Sequence, residues 1–330
     1  MEVIRGWRDV PASAQDAAFA IGNFDGVHRG HQAVLREAKR IADAEGRRAG
    51  AVLFEPHPRE FFEPERPFFR LTPLPLKLEL LRALGLDQTV VIAFDQTLAS
   101  VSADAFARDV IAGGLRAAHV VVGYDFTYGK GRTGSTEALT QLGRELGFSV
   151  DVVAPMGTDG ITFSSSQVRE HLRAGDMQEA ARQLGYWWRV VGTVERGAGR
   201  GKGLGFPTVN LALGEGQDVA HGIYALRVQQ GKRRYQAAGY VGTRPTFGAG
   251  QPLIEAYLLD FEGDLYGQDI EIEFIAQLRG DQTFTSADAL AAQMDADCDA
   301  ARAVLATIEA DDPMRHFPMQ RALDALGTGS

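Results

Sequence analysis

The sequence predicts an α/β fold in two parts, a parallel sheet covered by helices followed by an antiparallel β-barrel. Its length of 330 residues suits about two domains of ordinary size. Through about residue 184, short apolar runs alternate with amphipathic stretches, as in parallel sheets whose strands are joined by helices. Beyond that point, strand-like runs follow one another across glycine-rich or charged turns, which favours an antiparallel barrel.

In the first part, strands and helices alternate strictly, which is why a parallel sheet with helices on both faces is expected. The predicted strands cover residues 19–22, 49–54, 89–94, 119–123 and 149–153. The predicted helices cover residues 30–45, 76–84, 103–111 and 136–146.

In the second part, strands are expected at 187–194, 223–228, 235–241, 253–259 and 270–278. One helix should follow at 286–305, with Thr285 and Asp288 in an N-terminal capping arrangement. We therefore predict one domain over residues 1–184, a second over 185–318, and a flexible tail over 319–330.

Composition narrows the class of protein. Apolar residues make up 45% of the chain and charged residues 23%, as in ordinary globular proteins. The net charge of −9 argues against a nucleic-acid partner. The single cysteine, Cys298, excludes an intramolecular disulfide, and its acidic neighbours disfavour a reactive thiolate. With neither a signal peptide nor a membrane span in the sequence, we expect a cytoplasmic protein; homo-oligomerisation is left open.

The first motif lies between the first predicted strand and the first predicted helix. His28, Gly30 and His31 form the His-x-Gly-His signature of nucleotidyltransferases, which predicts a Rossmann-like nucleotidyltransferase domain. A helix N-terminus binds phosphate, and two imidazoles three residues apart can face the same phosphoryl group. The alternative is a glycine-rich turn with two surface histidines. Phosphate-binding residues are expected at Gly22, Phe24, Asp25, Gly26 and Gly30, with Asn23 beside them.

Three later stretches fit the same site. The run Ser164, Ser165, Ser166 precedes Arg169 at a second helix start, where it could bind ATP phosphates or simply cap the helix. The segment 123–132, with Asp125 and Arg132, follows a buried strand, where parallel sheets place ligands. His57 follows the second strand and could instead be only a turn residue.

The second motif lies in the predicted barrel. Gly199, Gly201, Lys202 and Gly203 form a glycine-rich, positively charged segment suited to a polyphosphate, although it is not a Walker loop. Thr208 and Asn210 alternate with Val209, so on an extended segment their oxygens share one face and could bind Mg²⁺. Glu255, in an apolar strand, is either outward-facing or a general base.

With both motifs in this order, the chain resembles the prokaryotic bifunctional riboflavin kinase / FAD synthetases from Ile21 to about Leu305. The resemblance implies that the C-terminal domain phosphorylates riboflavin to FMN with ATP. It also implies that the N-terminal domain converts FMN and ATP to FAD and pyrophosphate. The kinase domain of this family is a six-stranded antiparallel Greek-key β-barrel with a C-terminal helix.

The resemblance also implies roles for residues. His28, His31, Asn23 and the segment 164–169 match adenylyltransfer positions; Thr208 and Asn210 match ligands of Mg-ATP, and Glu255 matches the kinase base. Residues 242–247 match a further kinase stretch. Phe62, Phe106 and Tyr128 match the family's flavin platform, with core packing as the alternative. The flavin-binding candidates are His57, Phe62, Phe106, Asp125, Tyr128 and Arg132.

Three residues depart from the family pattern without removing a named catalytic group: Glu55, Ser166 and Val209. The site survives Val209 if its side chain points away from the metal. Two rival interpretations are an adenylyltransferase whose barrel only binds or regulates, and a non-catalytic flavin-binding protein. A class I tRNA synthetase is a third, disfavoured by the acidic charge and by the lack of a convincing lysine-rich loop.

Overall fold

The computed structural model describes residues 1–158, 160–195, 208–214, 216–243 and 252–328. The chain divides into two compact units. The first unit comprises residues 1–68 and 73–164, and the second comprises residues 69–72 and 165–330. The functional boundary expected near residue 184 lies inside the second unit and stays a prediction.

The first unit is built on a six-stranded parallel sheet. Its strands are β1 (Glu2–Arg5), β2 (Ala18–Ile21), β3 (Ala49–Glu55), β4 (Gln88–Ala93), β5 (His119–Gly123) and β6 (Ser149–Val153). Their order is β1-β4-β3-β2-β5-β6, and every neighbouring pair is parallel. The predicted parallel α/β domain is confirmed, with β1 as an additional edge strand.

The strand order reverses between β2 and β5. From β2 the chain adds β3 and β4 on one side and then returns to place β5 on the other side of β2. In open α/β sheets, ligands bind outside the carboxyl ends of the strands at such a reversal. The segments that follow β2 and β5 are therefore the expected edge of a site.

Helices and a small hairpin complete this unit. They are α1 (Arg29–Glu45), α2 (Pro58–Phe62), α3 (Leu74–Ala83), α4 (Gln96–Ala99), α5 (Ala103–Ala105, continued by the π-helix Phe106–Leu115), α6 (Thr136–Leu146), β7 (Gly157–Thr158) and β8 (Ile161–Thr162). Helix α1 forms because its buried apolar residues, including Leu35 and Ala38, recur at helical spacing. It ends at Gly46, whose φ of 65° suits a C-terminal glycine.

The second unit begins with two helices and continues as an antiparallel sheet. Its elements are α7 (Ser165–Ala174), α8 (Met177–Leu184), β9 (Arg189–Thr193), β10 (Thr208–Ala212), β11 (Gly222–Gln230), β12 (Arg233–Thr243), β13 (Pro252–Leu258), β14 (Asp269–Arg279), α9 (Ala287–Ala310), the 3-10 turn Pro313–His316 and α10 (Pro318–Thr328). The sheet order is β10-β13-β12-β11-β14-β9.

This order contains a Greek key, because β14 returns to lie beside β11 after the consecutive strands β11, β12 and β13. The sheet also curls until its edges meet. Glu195, just after β9, forms an antiparallel bridge with Asn210 of β10, and its N–H donates to the Asn210 carbonyl at 2.8 Å. The predicted six-stranded antiparallel fold with a C-terminal helix is confirmed.

The flexible tail predicted from residue 319 is replaced by helix α10 as far as residue 328. Met319 and Leu323, four residues apart and so on one helical face, are buried. Gln320 is fully buried, and its side-chain oxygen accepts a hydrogen bond from the Trp187 N–H at 3.1 Å. Apolar burial and this backbone contact hold the segment in place.

A buried ion-pair network joins the barrel to the turn after α9. Arg227 donates to Glu273 at 2.7 Å and to Asp312 at 2.8 Å, and Arg189 lies 2.7 Å from Glu273. Asp312 also accepts a hydrogen bond from the Trp187 indole at 3.0 Å. Burial alone would raise the pKa of Glu273, but Arg189 and Arg227 outweigh it and hold that pKa below its ordinary value.

Candidate functional site

The loop between β2 and α1 carries the first motif, and it lies at the reversal point of the sheet. Phe24 and Val27 have φ values of 46° and 37°, in the left-handed region that non-glycine residues rarely adopt. Gly26 between them has a φ of 81°. Such conformations cost free energy, persist only where the surroundings hold them, and cluster at functional sites.

His28 and His31 are brought side by side at the start of α1. His28 is the N-cap, and its Nδ1 accepts the His31 N–H at 3.4 Å. The two imidazole rings stack with centroids 3.6 Å apart and planes inclined by 26°. The predicted common orientation of this pair is therefore observed at a helix N-terminus, where backbone N–H groups favour an anion.

Gly30 is required by this arrangement, for a reason that the sequence did not reveal. A Cβ at position 30 would lie 3.0 Å from the His28 ring. The histidine packs directly over the helix backbone, so a larger residue would displace it.

Two buried polar side chains hold the loop at its two ends. Lys77 of α3 donates from Nζ to the Asn23 carbonyl at 2.8 Å, and Gln32 of α1 donates from Nε2 to the Val27 carbonyl at 2.8 Å. The Asn23 side-chain Oδ1 is buried and has no hydrogen-bond partner in the described part of the chain. Sequence reasoning missed Lys77; the available signal was a lone lysine among the leucines of α3.

The serine run divides between the two units. Ser164 belongs to the first unit, where Phe163 lies against the start of α1: the Arg29 guanidinium is 4.3 Å from the Phe163 ring centroid. Ser165 and Ser166 begin α7 in the second unit. Arg169 of α7 is buried and donates from Nε to the Phe69 carbonyl of the same unit at 2.6 Å.

The three aromatic candidates differ in exposure. Phe106 and Tyr128 are only 4% and 6% exposed, with ring centroids 5.5 Å apart, whereas Phe62 is 64% exposed. Phe62 packs edge-on against Phe94 at 5.7 Å. Core packing, the alternative weighed from the sequence, accounts for the positions of Phe106 and Tyr128. Phe62 is the accessible ring of the three.

The remaining candidates of this unit lie in turns. His57 is the N-cap of α2, where its Nδ1 accepts the Arg59 N–H at 3.1 Å and its ring stacks on Phe68 at 4.6 Å. This position is also consistent with the alternative that His57 is only a turn residue. Asp125 and Arg132 are exposed in the segment after β5, and Arg132 donates to the Thr127 hydroxyl at 2.8 Å.

The second motif is assembled by strand register. Asn210 of β10 lies directly opposite Glu255 of β13, and Thr208 lies opposite Tyr257. Directly opposed residues of antiparallel strands share a face, so Thr208, Asn210 and Glu255 point to the same side of the sheet. Tyr240 of β12 opposes Glu255 from the other neighbouring strand, a placement that the sequence did not indicate.

Val209 lies on the opposite face. It pairs with Ala256 and is only 8% exposed, so the larger side chain fills the interior and does not crowd Thr208 or Asn210. The Asn210 side-chain N–H donates to the Thr208 carbonyl at 3.4 Å, so the Asn210 side-chain oxygen points away from the Thr208 carbonyl. A hydroxyl, an amide oxygen and a nearby carboxylate are the oxygen donors that Mg²⁺ prefers.

Part of the second motif lies outside the described residues. These positions are Gly199, Gly201, Lys202, Gly203 and the segment 244–247. Of the stretch 242–247, only Gly242 and Thr243 are described, at the end of β12.

The fold and the two residue sets define a class of protein: a nucleotidyltransferase-like parallel sheet joined in one chain to a riboflavin-kinase-type antiparallel sheet. Family models divide the chain in the same way. The FAD synthetase model matches residues 10–167, and the riboflavin kinase model matches residues 184–305.

The chain belongs to the bifunctional riboflavin kinase/FMN adenylyltransferase family. It is 38% identical to the Pseudomonas fluorescens member, over 93% of this chain and 98% of that protein. It is 34% identical to the Haemophilus influenzae member, over 92% of this chain and 99% of that protein.

A crystal structure described as a macrolide-efflux protein from Streptococcus pneumoniae shares the fold, with a TM-score of 0.83 at 26% identity. The match covers 92% of this chain and 99% of the other. Across the described residues, no helix combines the length and apolar character needed to cross a membrane.

Proposed function

We propose that this protein makes FAD from riboflavin in two ATP-dependent transfers, with phosphorylation at the barrel and adenylyl transfer at the parallel sheet. The observation that carries the proposal is that one chain contains both residue sets. His28 and His31 stack at a helix N-terminus, and Asn210 lies opposite Glu255 on paired strands. A protein that kept only one activity, or only bound flavin, would have no need of both.

In the kinase reaction, Glu255 is the general base. Its carboxylate accepts the proton of the terminal ribityl hydroxyl of riboflavin as that oxygen attacks the γ-phosphorus of ATP, and ADP leaves. Thr208 and Asn210 would hold Mg²⁺ through their side-chain oxygens, and the bound metal would neutralise charge on the polyphosphate. Gly199, Gly201, Lys202 and Gly203 are assigned to cover the phosphates of ATP.

In the adenylyltransferase reaction, a phosphate oxygen of FMN attacks the α-phosphorus of ATP, and the bond to pyrophosphate breaks. His28 and His31 donate hydrogen bonds to the phosphoryl oxygens as negative charge develops, and the N–H groups at the start of α1 add to the same field. Asn23 offers a buried amide to the substrate, and the serines at 164–166 with Arg169 are assigned to the phosphates. Phe62 supplies an exposed ring for the flavin.

Both transfers are in-line and form no covalent enzyme intermediate. Neither motif contains a cysteine or pairs a serine with a recognisable base relay. Phosphoryl transfer depends on positioning and charge neutralisation, which these residues provide.

The direct test is to incubate the protein with riboflavin, ATP and Mg²⁺ and to separate the flavins by chromatography over time. FMN should appear first and FAD should follow. If supplied FMN becomes FAD but riboflavin stays unphosphorylated, the protein is an adenylyltransferase with a non-catalytic barrel. If neither product forms, the proposal is wrong.

A further inference from the structure

Lys77 is a buried cation that no step of the proposed chemistry uses. It lies on α3 among the buried residues Leu76, Leu80 and Leu81 and is only 2% exposed. Lysine is almost never fully buried unless its ammonium is paired, because removing the charge from water is costly. A residue needed only to fill this space would be apolar, so the ammonium has a function beyond packing.

The ammonium of Lys77 contacts the active-site loop at the point where its unusual conformation begins. Nζ donates to the Asn23 carbonyl, and the next residue, Phe24, has a left-handed φ of 46°. At the other end of the strained segment, Gln32 donates to the Val27 carbonyl and is itself only 1% exposed. The two anchors come from different helices, α3 and α1, and the residue after Val27 is His28.

We infer that Lys77 is a positioning residue of the adenylyltransfer site, which fixes the Asn23 carbonyl and thereby holds the strained loop that places Asn23 and His28. The inference rests on the proposed adenylyltransferase activity of this site. Strained backbone persists only where the surroundings hold it, so loss of one anchor lets the loop relax. A displacement of about 1 Å in a reacting group can cost about 10²-fold in rate.

The test is Lys77→Met, which keeps a long apolar side chain in the buried space and removes the ammonium. FAD formation from supplied FMN should fall by about 10- to 100-fold in kcat, while KM for FMN and for ATP changes by less than about threefold. Riboflavin phosphorylation by the same sample should stay within about twofold of the wild-type rate. That second activity shows that the kinase unit of the same sample is intact, and hydrogen exchange across the first unit shows whether that unit is folded.

The matched control is Gln88→Met. Gln88 is fully buried in the same unit, and its side chain donates to the Ala14 carbonyl at 2.8 Å, a contact of the same kind and length outside the active-site loop. This variant should lose stability and keep its kcat for FAD formation. An equal loss of kcat in both variants, or an unchanged kcat in Lys77→Met, would overturn the inference.

Hydrogen exchange gives a readout that does not depend on catalysis. Amides of residues 24–28 should exchange faster in Lys77→Met than in the wild type, and should not do so in Gln88→Met. If Lys77→Met does not fold, Gln32→Leu removes the other anchor of the loop. That variant should lose kcat for FAD formation and keep riboflavin phosphorylation; a normal kcat for FAD formation would contradict the inference. Failure of the wild type itself to make FAD would refute the proposed function instead.

Discussion

Asn210 and Glu255 lie directly opposite each other on the antiparallel strands β10 and β13. Opposed side chains in such pairs have Cβ atoms about 4.5–5.5 Å apart, so an amide oxygen and a carboxylate share one small area of the sheet. The proposed base thus lies beside a proposed metal ligand, as a kinase requires, because the hydroxyl that gives up its proton must attack a phosphate whose charge Mg²⁺ would offset.

Removing both proposed metal ligands should affect only the kinase. Thr208→Ala with Asn210→Ala should weaken use of ATP in riboflavin phosphorylation and raise the Mg²⁺ concentration that gives half-maximal rate. Conversion of supplied FMN to FAD should remain nearly intact. The measurement is a Mg²⁺ titration of each reaction separately, and equal loss of both activities would show that these residues are not a kinase-specific site.

Val209→Ala should reduce stability without changing the metal requirement. Val209 packs on the face away from Thr208 and Asn210 and is buried, so truncation removes two methyl groups from the interior. At about 0.8 kcal/mol for each buried carbon, the free energy of unfolding should fall by about 1.6 kcal/mol. Urea unfolding together with the kinase Mg²⁺ titration checks this. A shifted Mg²⁺ requirement would mean that the side chain reaches the metal face.

Glu273 should make the barrel sensitive to acid. Its pKa is held below the ordinary value of about 4.5, so the stabilisation it contributes is present above that pH and is lost as the pH falls through the lowered pKa. Glu273→Gln removes the carboxylate that Arg189 and Arg227 share, while Arg189 keeps Glu271 and Arg227 keeps Asp312. The variant should therefore be less stable at pH 7 by about 1–3 kcal/mol.

The difference between wild type and Glu273→Gln should begin to shrink below about pH 4.5, where Glu273 of the unfolded chain takes up a proton, and should be lost once the pH falls below the lowered pKa of the folded protein. Urea unfolding at several pH values measures this, with the exposed Glu309→Gln as the matched control. If the difference in the free energy of unfolding stayed constant down to the acid transition, Glu273 would not be ionised in the folded protein, contrary to this account.

Cys298 should react slowly with alkylating reagents in the native protein. Burial, followed by the negative charge of Asp295, raises the pKa of its thiol to about 11, so little thiolate exists at pH 8. The rate of iodoacetamide labelling, followed by mass spectrometry, should rise strongly when the protein is unfolded in urea. Native labelling as fast as that of the unfolded chain would refute this picture of the thiol.

Periodicity and local motifs predicted the features that depend on neighbours in sequence. The alternation of strands and helices identified the parallel sheet, and the spacing of His28 and His31 indicated a shared orientation that the stacked rings display. The alternation of Thr208, Val209 and Asn210 likewise predicted the two faces of β10.

Features that depend on distant pairing were missed. Strand β1 has four residues with charged ends and is recognisable only through its pairing with β4. In the sequence, Lys77 is a single lysine in a leucine-rich helix. Its contact with the Asn23 carbonyl depends on how α3 packs beside that loop, which the sequence pattern does not indicate. The helix in the predicted tail depends on burial of Met319 and Leu323, which its local sequence does not guarantee.

The central claim is that two separate sites on one chain carry out the two transfers, and a reciprocal pair of variants tests it most directly. In Glu255→Gln, riboflavin phosphorylation should fall by about 10²–10⁴-fold while supplied FMN still becomes FAD. In His28→Ala with His31→Ala, riboflavin should become FMN and stop there, because the loss of even one preorganised donor costs about 10²–10³-fold. Chromatographic separation of riboflavin, FMN and FAD reads out both variants. Loss of FAD formation from FMN in a folded Glu255→Gln protein would contradict the two-site account.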